Sequence, residues 1–489
     1  MPQPTRKTHL AVAYTALAAW FVISLAVYAL MRAPMATAVI YIAGNLLLPE
    51  RIAIDPPLLP DIGKQEVISL AALIAVTAFA RQRMSTARIG TGVELMIVIG
   101  VACIAFTVFN NSDFIRSGRM LIPGTNPTDI IPDTIVVIIR WAIPFVIARA
   151  VFTRARDGRT LMLVFAVAGL FYSVPVIIEL IISPQLHKFV YGYMQHSFLQ
   201  TLRGDGYRPM VFMPHGLNLT FFLVMAVAAA ATMWRTERSK LQASYATLTL
   251  YLGVILLLCR STGSTLYALL ITPLILFAPP RLQIRVASAL AIVVFSYPVL
   301  RQVDVIPFEA ALNVAKHYAG ERRAKSFQSR LHTEETMLER IKERPWFGWA
   351  SPGRSGVRDP VTGQLDTVYD GYWIIVLGKR GIIGFITTFA LLLLPIFIAG
   401  RAISRIRAPE DRALLGALSL MIAVSTFDLL PNSTVDNYLT VLSGALAGLV
   451  PGILKEQAAA QVQNRDANGV LPRDKQARAA SLLGPTPPQ

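Results

Sequence analysis

Three arginines in or beside apolar segments are the residues of this sequence best suited to bind an anion. Arg208 precedes one apolar run, Arg260 follows the next, and Arg140 lies well inside an earlier run. The guanidinium group is a planar fork that fits phosphate oxygens bidentately. A charged side chain within an apolar run is costly and usually faces a polar cavity or an anion. The three residues therefore indicate an anion site, with a lipid-linked phosphate or diphosphate as the natural ligand.

Four other polar residues extend this interpretation. His215 and Asn218 lie where an apolar run begins, either as a helix–helix hydrogen bond or as part of a ligand pocket. Arg330 and Arg354 lie in the long connection 301–380 and are candidates to orient a substrate. For each arginine the ordinary alternative stays open, namely an ion pair with a nearby glutamate or hydration at the lipid headgroups.

Asp370 is the candidate general base. It stands just before an apolar run in an aromatic setting, and a carboxylate there could accept the proton of a sugar hydroxyl. Its neighbours Tyr369 and Tyr372 could stack on sugar faces. They could equally form the aromatic belt that marks a membrane interface.

Other chemistries lack their usual residues. The sequence has no Asp-x-Asp pair for a divalent-metal glycosyltransferase, no Gly-rich loop before Lys-Ser/Thr, and no His-Glu-x-x-His. The six histidines are not spaced as metal ligands, and Cys103 and Cys259 are isolated in apolar runs. We therefore expect neither a metal nor a cofactor, and the absent motifs argue against an ATPase or a zinc protease.

Composition predicts an all-α polytopic membrane protein that holds these residues in place. Of 489 residues, 54% are hydrophobic and 15% are charged, whereas soluble domains carry about 25% charged residues. Apolar runs of spanning length recur along the chain, and helices are what such runs form in lipid. We predict about 12 transmembrane helices, or about 13 if the short run 34–49 crosses fully.

Basic clusters follow every second run, which predicts that these connections face the cytoplasm. The same bias accounts for most of the formal charge of +17, so we expect no nucleic-acid partner. The predicted organisation is a transmembrane bundle over 1–300, an outward-facing loop over 301–380, transmembrane helices over 381–454 and a disordered cytoplasmic tail over 455–489. Within the loop, Ala324–Arg344 has the spacing of an amphipathic helix.

These motifs together resemble the superfamily of O-antigen ligases and O-antigen polymerases. The family carries an Arg shortly before a Phe and a turn that opens a span, which is similar to Arg208, Phe212, His215 and Asn218. A later Ser-Arg-Gly-like turn of the family resembles residues 260–263, although the order of the residues differs here.

The long loop carries the rest of the resemblance. An Arg, a Glu-rich helix and a Pro-x-x-Gly-x-Gly segment are similar to Arg330, Glu334, Glu335, Pro345 and Gly348, with Trp349-Ala350 in place of the last Gly. The family then has a His, with a Gly-x-x-Gly eleven residues later. Here Asp370 precedes Gly381 and Gly384 at that spacing, so an Asp replaces the His.

The resemblance implies metal-independent transfer of a glycan from an undecaprenyl-diphosphate carrier to an acceptor hydroxyl, at the periplasmic face of a bacterial inner membrane. It implies that arginines hold the diphosphate and that a base in the loop activates the acceptor. On this basis Arg208 and Arg260 bind the donor with help from Arg140, and Asp370 is the base. The expected partners are the lipid-linked glycan donor, the acceptor, the lipid bilayer and a separate chain-length regulator.

Three functions remain open at this point. An O-antigen or exopolysaccharide polymerase is favoured, because the ligase branch resembles the His form more closely. A ligase to an acceptor such as lipid A core is the second. A flippase or transporter of a lipid-linked sugar requires polar residues near mid-membrane, whereas here they concentrate on one face, with Glu179 and Arg140 as partial exceptions.

Overall fold

Long apolar helices form most of the structure, because only helices satisfy the backbone of so many lipid-length segments. The computed structural model describes residues 6–57, 59–85, 92–117, 120–204, 206–303, 317, 321–359, 361–367 and 369–467. The helices within these residues are α1 Arg6–Leu30, α2 Ala33–Leu47, α3 Lys64–Phe79, α4 Arg81–Ser85, α5 Val93–Phe109, α6 Ile130–Val137, α7 Ile143–Val151, α8 Ala155–Ile182, α9 Leu186–Tyr191, α10 Gly216–Thr236, α11 Leu241–Leu258, α12 Thr262–Phe277, α13 Pro280–Gln302, α14 Glu321–Lys342, α15 Pro352–Ser355, α16 Tyr372–Ala402, α17 Pro409–Asp428 and α18 Asn437–Ala467.

The remaining regular structure is short. A π-helical turn, Ile138–Ala142, joins α6 to α7. Two small antiparallel hairpins pair β1 Ile115–Ser117 with β2 Met120–Ile122, and β3 Leu202–Arg203 with β4 Gly206–Tyr207. The described residues thus form an all-α architecture, as predicted.

Eight helical segments within the described residues are long and apolar enough to cross a membrane. They are Leu10–Leu30, Pro127–Val151, Ala155–Ile182, Gly216–Thr236, Leu241–Leu258, Pro280–Gln302, Tyr372–Arg405 and Asn437–Gln463. The chain is therefore a multi-pass membrane protein, as predicted. The count of about 12 spans remains a prediction, because it depends on shorter helices. The 15 residues of α2 reach roughly 22 Å at 1.5 Å per residue, less than a hydrocarbon core of about 30 Å.

Helix α10 lies at the centre of the bundle. Its spanning stretch is 89% buried, and it contacts α8, α11, α12 and α17. Four consecutive alanines, residues 228–231, are fully buried on it, and small side chains let neighbouring helices approach closely. The N-terminal end of this enclosed helix carries His215 and Asn218, so two of the predicted site residues stand on a rigid support.

The predicted amphipathic helix of the loop is confirmed as α14, with bounds Glu321–Lys342. Its apolar residues Met337 and Ile341 are buried, and α14 packs on α16. Arg301 at the end of α13 pairs with Glu334, with Nε and Oε2 3.4 Å apart. These contacts fix one end of the loop against the bundle.

The C-terminal boundary differs from the prediction. Helix α18 continues to Ala467, so it extends into the segment 455–489 that was expected to be disordered. The rest of that segment, 468–489, lies outside the described residues.

Candidate functional site

A cavity of about 700 Å³ is lined by five of the ten residues predicted from the sequence. The five are Arg208, His215, Asn218, Arg330 and Asp370. They come from the connection before α10, the start of α10, the loop helix α14, and the residues before α16. The fold therefore joins residues that are widely separated in sequence into one polar chamber.

Polar side chains hold the turn that separates Arg208 from α10. The Glu179 carboxylate accepts the backbone N–H groups of Met210 and Val211 at 2.8 Å each, and that of Leu186 at 3.0 Å. Val211 has a φ of 52°, which is a genuine outlier for a β-branched residue. Gln195 donates to the carbonyl of Val211 at 2.9 Å. The turn is thus held in a strained conformation by side chains from outside it.

The turn also receives two hydrogen bonds at Phe212. Its N–H donates to the hydroxyl of Tyr172 at 3.1 Å, and its carbonyl accepts from Nζ of Lys64 at 3.3 Å. Lys64 is buried and pairs with Glu50 at 2.6 Å. The N–H groups of Met210, Val211 and Phe212 and the carbonyls of Val211 and Phe212 therefore all have hydrogen-bond partners, as buried backbone requires.

Arg208 lies against the first turn of α10. Its backbone N–H donates to the carbonyl of Thr201 at 2.7 Å, and only 8% of the residue is exposed. A Cβ on Gly216 would come within 2.5 Å of Cδ of Arg208. Glycine at 216 is therefore what lets the aliphatic part of Arg208, a residue of the cavity lining, pack against the helix.

Three arginines of the cavity lining come from two connections of the chain. Arg203 and Arg208 belong to the connection before α10, and Arg51 joins them from the connection between α2 and α3. Arg51 forms no ion pair among the described residues and has a φ of 57°. This group of three guanidinium groups is suited to a diphosphate, because each offers a fork of donors to phosphate oxygens.

Carboxylates enter the cavity from a different part of the chain. Asp428 ends α17, and Asp436 lies just before α18. Asp428 accepts a hydrogen bond from the Asn432 amide at 2.9 Å, and Asp436 accepts one from the Asn218 amide at 3.3 Å. Burial raises the pKa of Asp436 to about 6. Carboxylates and amides in this arrangement are suited to sugar hydroxyls.

Two histidines line the cavity beside the arginines. The rings of His196 and His215 meet edge to face, with centroids 4.7 Å apart. Nδ1 of His215 accepts the N–H of Leu217 at 3.0 Å and thereby caps α10. Burial, followed by the charges of His196, Arg208 and Arg203, lowers the pKa of His215 to about 4. His215 is therefore neutral at pH 7, with Nε2 assigned as the protonated nitrogen because Nδ1 is an acceptor.

Asp370 and Arg330 form an ion pair on the cavity lining. Nε of Arg330 lies 3.1 Å from Oδ2 of Asp370, and the two side chains are 40% and 37% exposed. The pair joins the loop helix α14 to the residues before α16. A half-exposed carboxylate in this position is accessible to a substrate hydroxyl, and Arg330 holds its orientation.

Three predicted arginines lie elsewhere. Arg260 does not line this cavity: its Nη1 donates to the carbonyl of Arg203 at 2.8 Å, so it supports the lining from outside. Arg354 is 3% exposed and holds the loop by bonds to Asp113 and to the carbonyl of Pro123. Arg140 faces a second cavity and pairs with Glu66. The structure thus brings Arg208 and Arg330 to one cavity, whereas Arg140 and Arg354 have carboxylate partners that a sequence does not reveal.

The two predicted tyrosines also separate. The Tyr369 hydroxyl donates to the carbonyl of Pro352, which makes it a contact within the loop. Tyr372 lines the second cavity, where its ring stacks on Trp141 at a centroid distance of 6.0 Å. The structure therefore places neither tyrosine in the lining of the cavity that contains Arg208.

Sequence reasoning missed several lining residues. Arg51, His196, Asp428 and Asp436 were not predicted. For the two aspartates a signal was present, since they flank the short connection 430–435 between two apolar runs. An acid at each end of a short connection, next to apolar runs, is the pattern that could have identified them.

Metal ligands do not cluster in the structure. Among the described residues, no group of three or more His, Cys, Asp or Glu side chains is placed to hold a metal ion. No model of a known protein family and no curated protein matches the chain. The chemistry of the cavity is consequently the basis for assigning a function.

Proposed function

We propose that this protein transfers a glycan from a polyprenyl-diphosphate carrier to an acceptor hydroxyl at the periplasmic face of a bacterial inner membrane. The observation that carries the proposal is that one cavity is lined by both arginines and carboxylates. Arg51, Arg203 and Arg208 line the same space as Asp370, Asp428 and Asp436. A lipid-linked sugar diphosphate has the matching division into an anionic and a hydroxyl-rich part.

The reaction follows from this division. The arginine group, Arg51, Arg203 and Arg208, binds the diphosphate. The acceptor oxygen attacks the anomeric carbon of the donor sugar, and the bond from that carbon to the phosphate oxygen breaks. The hydroxyl proton passes to Asp370, and the bonding pair leaves with the lipid diphosphate. Guanidinium groups neutralise the charge that develops on the leaving group, which is usually the largest catalytic contribution.

Polymerisation of a repeat unit is preferred to ligation because Asp370 stands where the resembled ligases have His. A transporter is disfavoured by the role of Glu179. This acid within α8 binds three backbone N–H groups of the protein, so it is engaged in structure rather than available to a translocation path.

The test is elongation by the purified chain in liposomes that contain a polyprenyl-diphosphate-linked repeat unit. Arg208→Gln is expected to slow elongation about 10²- to 10³-fold, the typical effect of losing one charge-stabilising donor. Asp370→Asn is expected to slow it about 10²- to 10⁴-fold. Arg401→Gln and Asp366→Asn are matched controls, because both residues are exposed and lie outside the cavity.

Other outcomes identify other functions. Translocation of the lipid-linked glycan without elongation would indicate a transporter. Transfer of finished chains to a second lipid, without growth of the donor, would indicate a ligase. Full activity of Asp370→Asn would remove Asp370 as the base and leave Asp436, which is the more deeply buried carboxylate of the lining.

A further inference from the structure

Five apolar side chains are exposed on the connection between α8 and α10. They are Phe189, Val190, Phe198, Leu199 and Leu202, and we refer to them as the apolar patch. Phe189 and Leu199 are the most exposed, at 61% and 76%. Single exposed apolar side chains are ordinary on a protein surface, whereas several on one short segment mark a surface that meets another molecule or a membrane. The apolar patch is therefore a candidate contact surface.

The segment that carries the apolar patch also lines the first cavity. His196, Gln200 and Arg203 belong to the cavity lining. They alternate in sequence with Leu199 and Leu202, which are exposed and do not line the cavity. One segment of chain thus has the cavity on its polar side and the occupant of the apolar patch on its other side.

Hydrogen bonds fix this segment in its orientation. Gln195 donates to the carbonyls of Val211 and Met213 at 2.9 and 3.3 Å. The carbonyl of Thr201 accepts the N–H of Arg208 at 2.7 Å. The segment between these bonds cannot turn over without breaking them, and buried hydrogen bonds are costly to break. The apolar patch is therefore covered from outside the chain rather than by a rearrangement within it.

The apolar patch lies beside the membrane-spanning part of the protein. Helix α9, which carries Phe189 and Val190, contacts α1, and α1 contains the candidate span Leu10–Leu30. The Tyr191 hydroxyl of α9 donates to the carbonyl of Leu47, the last residue of α2, at 2.7 Å. Helix α9 thus rests against apolar helices rather than projecting away from the bundle.

The span before the apolar patch leads to the same conclusion. Ala155–Ile182 is long and apolar enough to cross a membrane, and its last residues, Ile181 and Ile182, are exposed. Helix α9 begins four positions later and exposes Lys188 beside Phe189. A cation next to exposed apolar side chains is typical of a segment at a membrane interface, because the ammonium reaches the headgroups while the apolar groups enter the acyl region.

We propose that the apolar patch inserts into the bilayer leaflet on the side of the first cavity, with phospholipid acyl chains as its occupant and Lys188 at the headgroups. One wall of the first cavity is then seated in lipid. The cavity opens at the depth of the headgroups, and a lipid-borne headgroup enters it without leaving the bilayer. The insertion goes beyond the proposed glycan transfer and does not depend on it, whereas its effect on the reaction does.

The test is site-directed spin labelling of the full chain in lipid nanodiscs. Leu199→Cys and Phe189→Cys are labelled one at a time, and wild type gives the background, since Cys103 and Cys259 are buried. Both labels are expected to be accessible to molecular oxygen, which concentrates among acyl chains, and shielded from a nickel chelate, which stays in water. A label at Glu339, which is 69% exposed on α14, is the control and should show the reverse.

Two results would overturn the proposal. A label at residue 199 with the nickel accessibility of residue 339 would show that the apolar patch faces water. Dipolar broadening of the label at residue 199, lost on dilution with unlabelled chain, would assign the apolar patch to a second copy of the protein instead of to lipid.

A pair of variants measures what the insertion does for the reaction. Moving a Phe or Leu side chain out of lipid should weaken seating of the segment about 10- to 100-fold. Phe189→Gln with Leu199→Gln is therefore expected to slow elongation from a full-length polyprenyl donor in liposomes at least about 10-fold, while a water-soluble donor with a short prenyl chain reacts at the wild-type rate. Leu199→Met keeps an apolar side chain and should behave like wild type. Val361→Gln is the matched control, because Val361 is an equally exposed apolar residue elsewhere in the chain.

Failure of this inference differs from failure of the proposed function. Nickel accessibility at residues 189 and 199, together with normal elongation by wild type, would remove the insertion and retain glycan transfer. Oxygen accessibility at both residues without elongation by wild type would retain the insertion and remove glycan transfer. Equal slowing of the long and the short donor by the double variant would show that the segment acts on the cavity alone, which contradicts the proposed role of lipid.

Discussion

Replacing Glu179 by Gln tests whether the turn between Arg208 and α10 is held by this carboxylate rather than by the bundle as a whole. Glu179 is 1% exposed and accepts three backbone N–H groups, from Met210, Val211 and Leu186, at 2.8, 2.8 and 3.0 Å. Glutamine has nearly the same shape. However, one of its two terminal atoms is a donor. That amide nitrogen must face at least one of these N–H groups in either orientation.

The expected magnitude follows from these contacts. At least one hydrogen bond to a charged acceptor is lost, and such bonds contribute about 1.5–3 kcal/mol each. Since 1.4 kcal/mol corresponds to a factor of ten in an equilibrium constant, local opening of the turn should become about 10- to 100-fold more frequent. Val211 adds to the effect, because its left-handed φ is unfavourable and is maintained only by the surrounding contacts.

Hydrogen–deuterium exchange measures this opening directly. Peptides that contain Met210 and Val211 should lose protection in Glu179→Gln, whereas peptides from the middle of α10 should not. Glu456→Gln, at an exposed position of α18, is the control. Unchanged protection at Met210 and Val211 would refute the assignment of Glu179 as the support of the turn. Equal loss over all of α10 would show instead that the whole bundle depends on Glu179.

Two further predictions concern pH and the loop. Burial lowers the pKa of His215 to about 4, so the unfolded chain binds the proton more readily. The contribution of His215 to stability is then complete above pH 6.5 and falls as the pH drops toward 4, by about 2 kcal/mol at pH 5. Thermal unfolding at pH 7 and 5 should show less acid sensitivity in His215→Asn, which keeps a capping acceptor; equal sensitivity would contradict this. Arg354→Gln should destabilise the protein by about 3 kcal/mol, because it leaves buried loop contacts unmade. Its elongation rate below the unfolding temperature should match Arg401→Gln, and a selective loss of rate would restore Arg354 to the site.

The sequence predicted the fold class and five residues of the cavity lining because both depend on local signals. Apolar runs of spanning length identify helices from residues close together in the chain. Arg208, His215 and Asn218 are likewise close in sequence, so a polar cluster before one helix was visible without knowledge of the packing. Asp370 was found by its position just before an apolar run in an aromatic setting, which is again a local pattern.

The remaining residues could not be predicted because their roles depend on partners far along the chain. From the sequence, Arg140 was a candidate to bind an anion. In the structure it pairs with Glu66, which lies 74 positions earlier in the chain. Arg354 looked like a substrate ligand, yet its partner Asp113 is 241 positions away. Tertiary contacts decide whether an arginine is neutralised by a carboxylate of the protein or is left to bind a ligand.

Strain at the first cavity explains why so many of its supports are charged. Arg51, Val211 and Arg260 all have φ values between 52° and 57°, and a non-glycine residue in this region costs roughly 1–2 kcal/mol. Apolar packing is not directional, so it cannot hold a backbone in a chosen unfavourable conformation. Hydrogen bonds accepted by Glu179 and donated by Gln195 can, because each fixes the position of a particular backbone group. These hydrogen bonds hold the turn that separates Arg208 from α10, so their loss should slow the proposed transfer before it unfolds the bundle.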